Sequence, residues 1–241
     1  MAFLIPWGFE RKSACRALAL VLFVLLPTCA RGAGPSREEG EFEIRIDGEE
    51  IGREKYSIEV RPDGIVSVST GTLRNSGSEG GRVRVETRLE MDPHYMPRSY
   101  RVETSAGDRK GRLEGTFSPG QADFQYLIEG APRRSGLMLD EYYAVLDANV
   151  FHHFAFVGRL FDFDDGEAQA LDVVIPQELD NGTVVIRDAG LDTTEIGRKE
   201  KRLRHLKLDS GQLLIDLWLD EERVLQKIAL PQRRIEVVRR P

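Results

Sequence analysis

From Glu41 onward the chain alternates apolar and polar residues with a period of two. Phe42, Ile44 and Ile46 point one way while Glu43, Arg45 and Asp47 point the other, which predicts a half-buried strand. Tyr56, Ile58 and Val60 repeat the pattern, Ile65 to Thr72 continue it, and the most regular case sets Val83, Val85, Thr87 and Leu89 against Arg82, Arg84, Glu86, Arg88 and Glu90. Those outer charges predict cross-strand ion pairs of roughly a few tenths of a kcal/mol each. Further strands are expected around Tyr100–Thr104, Leu113–Phe117, Phe124–Ile128, Ala170–Ile175, Thr183–Arg187, Leu203–Leu208, Leu213–Leu219, Val224–Leu230 and Ile235–Val238. Asp47-Gly48, Arg61-Pro62-Asp63-Gly64, Asp92-Pro93, Pro119-Gly120 and Asp209-Ser210-Gly211 supply the turns between them, each with residues that preset or tolerate turn dihedrals. Asn181-Gly182-Thr183 reads as another turn rather than a glycosylation site. About a dozen strands of five to eight residues result, with no repeat and no internal linker.

One stretch breaks the rhythm. Leu137 to Phe163 is strongly apolar, and from Asp147, a candidate N-cap, Val150, Phe154, Val157 and Phe161 recur at helical spacing, with Phe151, Ala155 and Gly158 in an adjoining row. So wide an apolar arc predicts a helix over 147–161 that is covered on most sides. Burying five large side chains there is worth about 10 kcal/mol before conformational entropy is subtracted. Asp162, Asp164, Asp165 and Gly166 end it. The predicted fold is therefore mainly β: a single large antiparallel sheet curved into a half-barrel or open barrel around one main α-helix. Its inward rows (Tyr56, Ile58, Val60; Val83, Val85, Leu89; Val150, Phe154, Val157) are expected to be buried together.

Residues 1–30 stand apart. Arg11, Lys12 and Arg16 precede an apolar run of ten residues, Ala17 to Leu26, and Pro27-Thr28-Cys29-Ala30 follows. This is the pattern of a signal peptide, too short for the roughly 18–20 apolar residues of a membrane span, and it predicts export to the periplasm or beyond. Cys29 offers lipidation as an alternative to cleavage after Ala30, although Leu26-Pro27-Thr28-Cys29 matches a lipobox poorly. Residues 31–40 read as a flexible lead-in and 41–241 as a single β-rich domain. Both cysteines, Cys15 and Cys29, lie in the leader, so thiol catalysis, cysteine zinc sites and disulfides are excluded from the rest, and a segment of about 210 residues is large enough to hold its core without them. Without the leader, which carries three basic residues and Glu10, the formal charge moves from −6 to −8. The charges are evenly mixed along the chain, which argues against nucleic acid as a partner.

Candidate chemistry is sparse. Of four histidines, His152 and His153 are adjacent and diverge on a helix, so one is expected to bond to the sheet and the other to meet solvent. A metal site using them with Glu141 or Asp147 is the lesser reading. No nucleophile motif, zinc-protease motif or phosphate-cradling glycine loop occurs, the acidic Phe161–Gly166 segment lacks EF-hand spacing, and no carboxylate pair stands out for glycoside hydrolysis. No catalytic residue, cofactor or metal is expected.

Several segments resemble uncharacterised exported bacterial proteins of the domain-of-unknown-function kind: Asp47-Gly48 and Ile51-Gly52 before Tyr56-x-Ile58-x-Val60, Val145-Leu146-Asp147-Ala148-Asn149 before the aromatic stretch, Val174-Ile175-Pro176-Gln177, and Leu217-Trp218-Leu219-Asp220 with Val224-Leu225-Gln226-Lys227-Ile228. In pattern the chain also resembles the Lol-type lipoprotein carriers, which implies a curved sheet with helix in its concavity and no transferable functional residue. The expected function is a non-enzymatic binding or carrier protein for an apolar, lipid-like ligand, with Val150, Phe151, Phe154, Val157 and Phe161 lining the cavity. The alternative is an envelope protein-interaction or assembly module with a filled core, and a hydrolase is the third reading. Expected partners are an apolar small molecule or lipid, or an envelope protein. A membrane-spanning β-barrel fits less well, because the predicted strands are short and the aromatics scattered.

Overall fold

The computed structural model describes residues 36–74, 81–128 and 131–240, so the leader and both cysteines lie outside the described residues. Eight strands come first: β1 (Arg37–Ile46), β2 (Glu49–Arg61), β3 (Gly64–Arg74), β4 (Arg82–Met91), β5 (Pro97–Ala106), β6 (Arg109–Ser118), β7 (Gln121–Ile128) and β8 (Ala131–Met138). After β9 (Tyr143–Val145) the chain forms a 3-10 turn, Phe151–His153, that runs into the one α-helix, α1 (Phe154–Leu160). A second meander follows: β10 (Gln169–Ile175), β11 (Asp180–Ile196), β12 (Lys199–Asp209), β13 (Leu214–Leu219), β14 (Leu225–Leu230) and β15 (Ile235–Arg239).

All fifteen strands belong to one sheet, ordered β8-β7-β6-β5-β4-β3-β2-β1-β15-β14-β13-β12-β11-β10-β9. Each meander is built from neighbouring hairpins, and the two are sewn together where β1 pairs antiparallel with β15, Phe42 opposite Arg239 and Ile46 opposite Ile235. Among the described residues the only parallel pair is β9 with β10. The sheet curls so that β9 approaches the other wing, where the Tyr143 hydroxyl donates to the Ser118 carbonyl of β6 (3.2 Å). Asp47-Gly48 forms the expected hairpin turn, both residues at positive φ (53° and 79°), the backbone that an Asp-Gly pair accommodates between twisted strands.

The apolar rows meet as predicted. Tyr56, Ile58, Val85, Leu89, Val150, Phe154 and Val157 are buried in one cluster spanning both meanders, with Val60 and Val83 half-buried at its margin. Phe154 is 2% exposed.

The differences have local causes. The helix covers 154–160 rather than 147–161, because Asn149 takes a left-handed φ of 61° and residues 143–145 are drawn into parallel pairing with β10. Asp147 is not a helix cap; the residue before the 3-10 turn is Val150, with no side-chain cap. The lead-in is shorter than expected, since β1 begins at Arg37 and buries Glu38. Strands are also longer than the five to eight residues expected, with β2 at 13 and β11 at 17. Asn181-Gly182-Thr183 lies within β11 rather than in a turn, which is made by Leu179 at positive φ. The outer charges pair along their own strand, Arg84 with Glu86 (2.5 Å) and Arg88 with Glu90 (2.7 Å), because residues two apart share a face.

Candidate functional site

Four of the five expected lining residues, Val150, Phe151, Phe154 and Val157, lie in the 3-10 turn, in α1 or just before it, and Phe161 follows α1. All five are at most 3% exposed and belong to the main core. The helix enters closely enough that a Cβ on Gly158 would meet Leu219 Cδ1 at 2.6 Å, so any larger residue there displaces the Leu219 side chain.

Beneath the helix lies a buried polar network. Glu54 sits on β2 in the same inward row as Tyr56 and Ile58. Its Oε2 accepts the backbone N–H groups of Phe151 (2.9 Å) and His152 (3.1 Å), and Oε1 lies 2.6 Å from His152 Nδ1. A carboxylate only accepts, so Nδ1 carries the proton toward Glu54, while Nε2 shares a hydrogen with Ser67 Oγ on β3 at 2.7 Å. Glu54 thus satisfies the donors that the uncapped turn would otherwise leave unpaired. The order serine, histidine, carboxylate is that of a hydrolase triad. Here Ser67 and His152 are fully buried and Glu54 is 2% exposed, and Ser67 lies mid-strand rather than on an exposed elbow, so no substrate atom reaches its Oγ in this conformation.

His153 is buried as well, contrary to the expectation that one of the pair meets solvent. Its Nδ1 accepts the Asp147 N–H (3.3 Å), and desolvation, then the neighbouring His152, hold its pKa well below the usual imidazole value. Asp147 accepts from the Tyr100 hydroxyl (2.6 Å), the Ala148 N–H (2.9 Å), and both the backbone N–H and the side-chain amide of Gln177 (2.9 Å each). Desolvation outweighs those bonds and raises its pKa to about 6. At the far end of α1, the Arg159 guanidinium, 1% exposed, donates from Nη2 to Glu38 Oε2 (2.5 Å). Glu38 Oε1 also accepts from the Tyr56 hydroxyl (2.6 Å) and Arg239 Nη1 (3.1 Å). Burial, then the charge of Glu38, pushes the Tyr56 pKa upward. Arg159 Nε and Nη1 and His153 Nε2 are buried without partners. Among the described residues no group of three or more His, Asp and Glu side chains could hold a metal ion, and no helix is long and apolar enough to cross a membrane.

A second feature lies on the opposite, outward face of β1–β3. The β11–β12 hairpin outruns the sheet, bulges between Asp188 and Gly190, and folds over the outside of β13–β15. It is seated on a satellite cluster of Ile196, Leu203, Trp218 and Val238, with Trp218 Nε1 donating to Asp192 Oδ2 (3.0 Å) and His205 stacked on the Trp218 ring (4.6 Å). Its tip overhangs β1–β3 and encloses a cleft of about 1250 Å³. Nine of the twenty residues around it are Lys or Arg and three are Glu. None of the five expected lining residues is among them. Charges that are dispersed along the sequence are therefore concentrated in space, which corrects the expectation of an even mixture.

Glu38, Glu54, Ser67 and Arg159 were not foreseen as site residues. Parity alone could have flagged three of them, because each falls in the phase of an inward apolar row: Glu38 with Phe42, Glu54 with Tyr56, and Ser67 with Ile65.

No protein-family model and no curated protein matches the chain. Among solved structures, a β-barrel-like protein of the domain of unknown function DUF1849 from Brucella abortus aligns with a TM-score of 0.57 and 9% identity, over 88% of this chain and 97% of that one. A duf1089 family protein from Pseudomonas aeruginosa aligns over the same shares with 11% identity and a TM-score of 0.48. The first likeness, at that identity, establishes a β-barrel-like fold shared with a domain of unknown function.

Proposed function

We propose that this chain is a non-enzymatic binding protein whose ligand sits in the outer cleft beneath the β11–β12 arm, the buried segment around α1 serving as a structural plug. The observation that supports this reading is the contrast between two surfaces. The apolar residues of the plug are at most 3% exposed within a continuous core, whereas the cleft is a concavity of about 1250 Å³, somewhat above the roughly 300–1,000 Å³ typical of ligand sites. The proposed setting is the periplasm, supported by the signal-like pattern of residues 1–30.

The test is a thermal-shift and calorimetric panel of anionic, cationic, neutral-glycan and fatty-acid ligands on wild type and Ile196→Asp. The variant places a carboxylate in the satellite cluster and unseats the arm without touching the main core. A ligand that loses affinity for the variant supports the cleft; equal binding to both proteins would place the site elsewhere.

An apolar or amphiphilic ligand carried between α1 and the sheet is the second reading. It is favoured by Arg159, whose unpartnered Nε and Nη1 would pair with an acidic headgroup. Native mass spectrometry of protein purified from its envelope distinguishes it: a co-purifying lipid lost in Arg159→Met supports this reading, and an empty protein counts against it.

A further inference from the structure

We infer that the outer cleft takes a polyanion carrying two or more phosphate groups. This rests on the proposal that the cleft is the ligand site and adds the chemistry of the occupant. The chain as a whole has a formal charge of −6, yet the cleft gathers nine basic side chains against three acidic ones. A concavity lined by one sign of charge focuses its field and raises the local concentration of the opposite ion.

Part of the positive charge is already answered. Arg53 binds Glu50 (2.7 Å) and lies 3.6 Å from Glu41. Glu41 is shared further with Lys55 (3.8 Å) and Arg240 (3.4 Å). Arg74 binds Glu49 (2.5 Å), and Arg239 is held by Glu38. What remains is at the mouth. Arg198 and Lys199 at the tip of the arm, and Arg82 on the opposite wall, face the cleft without a carboxylate partner among the described residues. Lys201 has only the side-chain oxygen of Gln226, at 3.3 Å.

Size and donor geometry narrow the ligand. The cleft is far larger than one phosphate needs, and its cations lie both on the arm and on the sheet beneath it, so a ligand with anionic groups at both ends engages more of them than a single anion does. The guanidinium forks of Arg82 and Arg198 match phosphate oxygens bidentately, and Lys199 adds a point charge. Among the lining residues only Ile51 and Ile196 carry large apolar side chains, so the charged groups supply most of the site's specificity. The anionic part is therefore what the site recognises, whether free in solution or borne on a lipid headgroup.

Isothermal titration calorimetry with tripolyphosphate, and flotation with vesicles of cardiolipin, whose headgroup carries two phosphates, or of phosphatidylcholine, test this and separate the two sources. Tripolyphosphate is expected to bind, and binding should weaken as ionic strength rises from about 0.01 to about 0.1 M, where the screening length falls from about 30 to about 10 Å. Arg198→Ala/Lys199→Ala removes two exposed side chains from the arm tip and is expected to weaken binding by about tenfold or more with unchanged melting. Arg133→Ala/Arg134→Ala, on the exposed edge strand β8, removes the same charge elsewhere and is expected to leave binding intact. Selective retention on cardiolipin would identify a headgroup as the source, and tripolyphosphate binding without retention a soluble phosphate. No binding of either probe at low salt, or equal losses in the two double variants, overturns the proposal. A non-phosphate ligand that responds to Ile196→Asp would in that case leave the cleft assignment standing.

Discussion

Replacing Glu54 with leucine isolates the contribution of the buried network. Leucine keeps a similar volume and lacks both oxygens. Three donors lose their acceptor at once: the N–H groups of Phe151 and His152 and the Nδ1–H of His152. Each orphaned buried donor costs about 1–3 kcal/mol. Partial relaxation of the turn brings the sum of the three to about 3–5 kcal/mol. That is a large fraction of the roughly 5–15 kcal/mol that stabilises a domain, and corresponds to a melting point lower by about 6–20 °C. Glu54→Gln behaves differently. Its carbonyl oxygen can still accept the two backbone donors, and the imidazole can move its proton to the nitrogen facing Ser67, so the expected loss is about 1–2 kcal/mol. The assay is urea unfolding at 25 °C followed by tryptophan fluorescence, with the denaturant slope unchanged between variants. A Glu54→Leu protein within about 1 kcal/mol of wild type would show that the turn is held by apolar packing alone.

Three further outcomes follow from other parts of the fold. Asp147 titrates near pH 6 when folded and near its ordinary value, about 3.8, when unfolded, so the folded chain holds the proton more tightly and stability falls as pH rises through this window. The contribution is on the order of 3 kcal/mol. His153 works oppositely, because burial keeps it neutral while the unfolded chain takes a proton below about pH 6.5. Of these two opposing slopes Asp147→Asn leaves only the histidine one, so denaturation profiles between pH 4 and 6.5 should fall more steeply on acidification than in wild type; an unchanged slope would refute the assignment. Gly158→Ala drives a methyl into Leu219 and is expected to cost about 1–3 kcal/mol, read as a lower melting temperature, whereas an unaffected melt would mean that the helix shifts freely. Trp218→Ala removes the seat of the β11–β12 arm, and hydrogen exchange should quicken across 191–202 while the amides of β2 and β3 keep their protection.

Much of this architecture was readable because strand patterning is local. Period-two rows at Tyr56–Val60 and Val83–Leu89 place their side chains without reference to partners, and Asp47-Gly48 names its own turn. The single sheet and the buried plug followed from those rows. The extent of the helix did not, because apolar periodicity around Phe154 continues into residues that Asn149 and the pairing with β10 hold in other conformations. The arm was hidden for a related reason: residues 188–202 lie beyond the main sheet, and their pattern, polar on both faces, signals no buried side. Its neighbour Leu203, by contrast, was read as a strand. The network around Glu54 depends on bringing residue 54 to residues 151 and 152, a contact no short-range pattern encodes, although the inward parity of Glu54 was there to be read. A shared turn also went unread. Pro176–Glu178 and Pro231–Arg233 form matching 3-10 turns, each closed by a left-handed residue, Leu179 and Arg234.

The seam between β1 and β15 has a consequence for how the molecule is assembled. Every other antiparallel ladder joins strands adjacent along the chain, so each meander can zip up hairpin by hairpin. The pairing of Phe42 with Arg239 must instead close a loop that contains nearly all of both meanders, and chain entropy places so distant a contact late. Until β15 arrives, β1 is an open edge, offering unpaired backbone to any other chain in the same state. A circular permutant that links Arg240 to Ser36 through a flexible spacer, so that all of β1 and its buried Glu38 are kept, and opens the chain between Met138 and Tyr143 would convert the slow ladder into one more hairpin. Such a molecule should refold faster and aggregate less from the same sequence of strands.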